Sequence, residues 1–180
     1  MKLWLVRHAR VLLEPGICYG ATDVAADPAA TNDAAMALAA QLPLGLPVIC
    51  SPLQRCTQLA SALHGLRPDL KWRADSRLRE IDFGCWEGWR WSTIGQEAFV
   101  PWMADFHGYR FGGRESLGEL MDRVEQALRQ LPDDAEAVWI THAGVIRAAS
   151  LLVRGVRRVD AADQWPPQVV PLGGAQCLAW

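Results

Sequence analysis

The chain has 180 residues, is half apolar and carries a net charge of −2, with a pI of about 6.1. That length suits a single domain, residues 1–180, able to bury most of its unfolded surface. The charge balance excludes a basic footprint for nucleic acid and an anchoring patch for a membrane.

The apolar start, Met1 to Val6, is too short for a signal-peptide core and is broken by Arg7, His8 and Arg10. No stretch is long enough to span a bilayer, so a cytoplasmic protein acting on a small soluble molecule is expected. Leu3 to Val6 reads as a buried strand with Arg7-His8 at its end. A polar loop containing Glu14-Pro15-Gly16 and Tyr19-Gly20 runs to Asp27-Pro28. An alanine-rich helix is expected over Thr31 to Leu42, with Ala35, Leu38, Ala39 and Leu42 on its buried face. The strand Pro47 to Cys50 meets Ser51, which reads as an N-cap followed by Pro52 at the first helical position. The helix it opens runs to Gly65, a residue suited to a left-handed C-terminal position. A weaker strand, Leu70 to Arg73, leads to Arg77-Leu78-Arg79-Glu80-Ile81-Asp82-Phe83-Gly84.

The stretch from Phe83 to Gly113 shows no periodicity and is expected to be irregular. It holds nine of the fifteen aromatics, which points to a local mini-core. Ser116 and Glu119 form a capping-box pattern ahead of a stripe of Leu117, Leu120, Met121, Val124, Leu128 and Leu131, and Pro132 ends that helix. The strand Ala137 to Ile140 runs into Thr141-His142 and then a helix to about Arg154. Pro166, Pro167 and Pro171 mark a loop before a last strand near Gln176 to Ala179. This alternation predicts an α/β fold: a three-layer α/β/α sandwich with a mostly parallel central sheet.

Arg7, His8, Arg55 and His142 therefore meet at the end of the sheet where α/β enzymes place their chemistry. Each alone reads as a solvated surface group. Together they suit a phosphate dianion: guanidinium forks bind its oxygens bidentately, and three cations within about 4 Å each contribute a few kcal/mol at an effective dielectric near 20, before desolvation. The first turns of its helix place Arg55 beside free N–H groups that also favour anions. His8, largely neutral at pH 7, can attack phosphorus and form a phosphohistidine with no metal and no other cofactor. Arg7, Arg55 and His142 would neutralise the non-bridging oxygens. Glu80 is the candidate proton donor, because a phosphate dianion beside a carboxyl raises its pKa; Asp82 is the fallback. The five cysteines have no C-x-x-C spacing, which argues against zinc or disulfides. The four residues between Cys50 and Arg55 are too few for a cysteine-phosphatase loop, and the thiols read as small buried groups.

Four ordered segments carry a resemblance: Leu5-Val6-Arg7-His8-Ala9, Ser51-Pro52-Leu53-Gln54-Arg55, the run from Leu78-Arg79-Glu80 through Trp86-Glu87-Gly88, and Thr141-His142-Ala143-Gly144-Val145-Ile146-Arg147. They resemble the successive signatures of the histidine phosphatase, or phosphoglycerate-mutase-like, superfamily, and the resemblance extends from residue 1 to about residue 150. It implies the same roles: His8 as the phosphorylated nucleophile, Arg7, Arg55 and His142 as the phosphate pocket, Glu80 as the proton donor. It favours hydrolysis over mutase activity, since this length leaves little room for the insertions that shield a mutase's phosphohistidine. Ala9 and Ala143 stand where the family has glycine, which requires negative φ at both. The family's Ser or Thr after the nucleophile is absent, and Arg10 is expected to face solvent.

Gly16-Ile17-Cys18-Tyr19-Gly20-Ala21-Thr22-Asp23-Val24 is similar to the corresponding region of α-ribazole phosphatases, which remove the 5′-phosphate of a dimethylbenzimidazole nucleotide during assembly of the lower cobalamin loop. In that reading Tyr19 and the aromatic stretch stack on the base. Another sugar or nucleoside phosphate is the alternative substrate. A phosphate-binding relative with little turnover and a metal-dependent phosphatase are the competing classes. A homodimer is compatible with the chain, but nothing in it requires one.

Overall fold

The computed structural model describes residues 2–132, 136–168 and 170–179. Five strands, β1 (Lys2–Arg7), β2 (Val48–Cys50), β3 (Trp72–Ala74), β4 (Glu136–Thr141) and β5 (Ala175–Ala179), form one sheet in the order β3-β2-β4-β1-β5. The first four are parallel, and β5 pairs antiparallel with β1 at the edge. The helices are α1 (Pro28–Gln41), α2 (Gln54–Leu66), α3 (Gln96–Ala104), α4 (Leu117–Leu128) and α5 (Ala143–Val153). None is long and apolar enough to cross a membrane.

The expected three layers follow from the pleat. Successive strand residues face opposite sides: Leu3, Leu5, Ala137 and Trp139 join the core under α4 and α5, whereas Val6, Val138 and Ile140 join the core under α1 and α2. With both faces covered, β1 and β4 need apolar residues at nearly every position. The capping box holds as expected: Ser116 Oγ accepts from the Glu119 N–H at 3.2 Å, and the Glu119 carboxylate accepts from the Ser116 N–H at 2.9 Å. Behind it, Leu117, Leu120, Met121 and Val124 are buried.

Several boundaries differ. Helix α1 opens at Pro28 because Asp27 supplies the cap, accepting from the Ala30 N–H at 2.9 Å. Helix α2 begins at Gln54, whose N–H is accepted by Asp23 from the preceding loop at 2.7 Å; Ser51 lies outside the helix and caps nothing in it. Gly65 is an ordinary helical residue, and the chain leaves the helix at Arg67, whose guanidinium donates to the carbonyls of Ala39, Leu42 and Pro43. Strand β3 is displaced to Trp72–Ala74.

The stretch expected to be irregular contains two short 3₁₀ turns and α3, which has Pro101 inside it. Its aromatics do build a mini-core: Phe111 lies 4.3 Å from Trp102 and 5.1 Å from Phe99, ring centre to ring centre, with Trp86 and Trp91 on its other sides.

Since the Ser116 hydroxyl satisfies an otherwise orphaned N–H at the start of α4, Ser116→Ala should lower unfolding stability by about 1 kcal/mol, and Ser116→Asp should retain most of it. Urea denaturation of the three proteins measures this.

Candidate active site

From β1 the chain crosses toward β2, whereas from β4 it crosses toward β5, so the two connections diverge. A crevice opens at the carboxyl ends of these neighbouring strands. Arg7 is in register with Thr141, and the His8 N–H donates to the Thr141 carbonyl at 3.1 Å, which brings His8 and His142 side by side. Their ring centres are 5.2 Å apart.

The two imidazoles are held in defined tautomers. His8 is almost fully buried, and its Nδ1 lies 2.7 Å from the Ala9 carbonyl. A carbonyl only accepts, so the proton sits on Nδ1 and Nε2 keeps an unshared lone pair. Burial is the main force pushing the His8 pKa down, to about 3; Arg55 and Arg7 add to it against the Ala9 hydrogen bond. His142 accepts from Arg55 Nε–H through Nδ1 at 3.2 Å, so its own proton is on Nε2, 2.8 Å from Ser51 Oγ. Its pKa is also pushed well below the ordinary value, first by burial and then by Arg55 and His8.

Arg55 is fully buried at the start of α2. Besides His142, it donates to the carbonyls of Thr22 at 2.8 Å and Gly20 at 2.6 Å, and its guanidinium lies 5.3 Å from the centre of the Tyr19 ring. Among the described residues no carboxylate pairs with it. Two of its five N–H bonds are left for a ligand. Arg7 donates to the Val170 carbonyl, and its Nε is buried with no partner among the described residues. Such an unmet donor is costly, and a phosphate oxygen would satisfy it.

Glu80 approaches from the segment after β3. Its carboxylate accepts from the Gly144 N–H at 3.0 Å, in the first turn of α5, and from its own neighbour Ile81 at 3.1 Å. This approach needs two glycines. A Cβ at Gly144 would stand 2.3 Å from the Glu80 carboxylate, and one at Gly20 would stand 1.8 Å from the Ile81 carbonyl. The fallback residue, Asp82, caps Gly84 instead.

The structure thus brings together Arg7, His8, Tyr19, Arg55, Glu80 and His142, but it changes how two of them are seen. Arg55 and His142 are tied to each other, and both His142 nitrogens are engaged within the protein. Ala9 and Ala143 cause no strain, as no described non-glycine residue has positive φ. Arg10 faces solvent and pairs with Asp27.

Sequence reasoning missed Ser51 as the His142 acceptor and Glu87 as an organiser. The Glu87 carboxylate accepts from the N–H groups of Ala21, Thr22 and Phe83 and from the Thr22 hydroxyl, and so fixes the loop whose carbonyls hold Arg55. Burial alone would raise its pKa, yet these hydrogen bonds outweigh burial and keep it low. The only hint in the sequence was its place in Trp86-Glu87-Gly88. Beside Glu80 and Gly144 lies a cavity of about 260 Å³ walled by Phe83, Trp91, Trp102, Phe106 and Trp165.

Facing imidazoles and converging arginines at the strand ends of this α/β sandwich form a pocket suited to a phosphate group. The chain belongs to the histidine phosphatase superfamily (branch 1), which it matches over residues 3–168. A phosphoglycerate mutase from Thermus thermophilus is 32% identical with a TM-score of 0.76, covering 100% of this chain and 94% of that one. Fructose-2,6-bisphosphatase of Saccharomyces cerevisiae is 31% identical over 107 residues, 58% of this chain and 23% of its own length. The mycobacterial glucosyl-3-phosphoglycerate phosphatase has a TM-score of 0.80 at 23% identity over 98% of this chain and 88% of that one, a likeness of fold.

The buried neutral imidazoles make stability depend on pH. Their folded pKa values lie below the unfolded value near 6.5, so their contribution is complete above pH 6.5 and is lost as pH falls toward the folded pKa. Between pH 6.5 and 5, above the range where the lowered carboxylates titrate, each costs up to about 1.4 kcal/mol per pH unit. In His8→Asn the slope of unfolding free energy over this interval should be shallower than in the wild type, as read from urea titrations at several pH values.

Proposed function

We propose that this phosphatase works without a metal through a phosphohistidine at His8 Nε2, and that its substrate is α-ribazole 5′-phosphate. The Nε2 lone pair attacks phosphorus, and the bond from phosphorus to the ester oxygen breaks. Arg7 and the free N–H bonds of Arg55 take up the charge on the non-bridging oxygens. Glu80 gives its proton to the departing 5′-oxygen. As a carboxylate it then accepts a proton from the water that attacks the phosphohistidine, releasing inorganic phosphate and restoring His8. His142 acts by holding Arg55 through Nδ1 and walling the pocket opposite His8.

The observation that carries the substrate reading is the apolar, aromatic-walled cavity beside Glu80 and Gly144. A flat dimethylbenzimidazole finds ring faces there, whereas a bare sugar would leave its hydroxyls without partners. One feature favours a second reading: Arg147 lines the same cavity, and its Nε is buried without a partner among the described residues. A leaving group bearing a carboxylate, as in 3-phosphoglycerate, would meet that donor.

Hydrolysis of p-nitrophenyl phosphate should persist in EDTA and fall by at least about 10³-fold in His8→Ala. For the substrate, kcat/KM should be at least about tenfold higher for α-ribazole 5′-phosphate than for 3-phosphoglycerate or common sugar phosphates, a difference of about 1.4 kcal/mol in transition-state binding. Equal or lower efficiency for the ribazole would sink that assignment and leave the phosphatase standing.

A further inference from the structure

We propose that Arg123 and Glu115 are positioning residues for proton transfer by Glu80, a role that rests on Glu80 being the proton donor. Residues 79–82 belong to no helix or strand, so the ladders of regular structure do not place the acid. Side chains do it instead. Arg123, on α4, donates through Nη1 to the carbonyls of Arg77 at 2.7 Å and Arg79 at 2.6 Å, and through Nη2 to the carbonyl of Glu80 itself at 3.2 Å. Glu115 accepts the Asp82 N–H at 3.0 Å and pairs with Arg123 Nε at 2.7 Å.

The clamp therefore grips the backbone on both sides of Glu80 and at Glu80 itself. Both side chains are more than four-fifths buried, so their ion pair is weakly screened. Its anchor is rigid: the opposite face of α4, Leu120, Met121 and Val124, is locked in the core. One planar fork reaches three carbonyls, a geometry that a lysine ammonium on a flexible stem does not reproduce. A shift of about 1 Å in a reacting group can cost about a hundredfold in rate, so loss of the clamp should appear in the step that uses the Glu80 proton.

Leaving groups separate this from a general effect on folding. Nitrophenolate departs without a proton, whereas an alkoxide needs one, so a misplaced acid harms only the second. The test compares kcat/KM for p-nitrophenyl phosphate and benzyl phosphate in wild type, Arg123→Lys, Glu115→Gln and, as reference, Glu80→Gln. In Arg123→Lys, p-nitrophenyl phosphate turnover should fall less than about threefold and benzyl phosphate turnover at least about tenfold more than that. Glu115→Gln, which keeps an acceptor for Asp82, should show a smaller bias of the same sign. This pair keeps the proposal testable if one variant folds poorly by circular dichroism. Equal losses on both substrates, or no loss, in variants whose Glu80→Gln reference is biased would overturn the clamp alone. An unbiased Glu80→Gln would remove the acid assignment itself.

Discussion

Burial of the Arg55 guanidinium is the constraint around which this molecule is arranged. A cation at zero exposure with no carboxylate partner among the described residues is expensive unless its donors are met. Two main-chain carbonyls and one imidazole nitrogen meet three of them. The positive charge itself stays uncompensated, which makes the pocket a place for an anion. Burial keeps the neighbouring imidazoles neutral, and the Arg55 charge adds to that effect.

Keeping Arg55 in place draws in residues far along the chain. Its carbonyl acceptors at Gly20 and Thr22 belong to a loop with no regular structure, and Glu87 holds that loop by gathering its N–H groups. The same loop packs against the segment carrying Glu80, with Gly20 beneath the Ile81 carbonyl. The loop that holds Arg55 and the segment that carries Glu80 are thereby locked to each other by main-chain contacts. Rigid relative placement of this sort gives an enzyme proximity without reorganisation during reaction.

Much of this was legible in the sequence. Strands β1 and β4 announced themselves through continuous apolar runs ending in Arg-His and Thr-His, and Ser116 with Glu119 marked the start of α4. Alternation of strands and helices was enough to place Arg7, His8, Arg55 and His142 at one edge. What stayed hidden depended on partners distant in the chain. Ser51 has the local chemistry of an N-cap, but the strand end hands its hydroxyl to His142, and Asp23 from a loop takes over the helix start. Helix α3 was obscured by Pro101 and by an aromatic content that serves the Phe111 cluster instead of one apolar face. Glu87, Arg123 and Glu115 look like solvated charges until the turns they hold are seen in space.

One consequence lies in the tautomers of the facing rings. Of the four nitrogens in the pair, Ala9, Arg55 and Ser51 engage three. The fourth, the tele nitrogen of residue 8, alone keeps a lone pair that is not already shared. Under the proposed mechanism, covalent capture of a phosphoryl group would have a single regiochemistry, set by one backbone oxygen 2.7 Å from the opposite side of the ring. The phosphoramidate of that proposal would leave the pros N–H still bonded to that oxygen, and the ring would not need to turn between the two halves of the reaction.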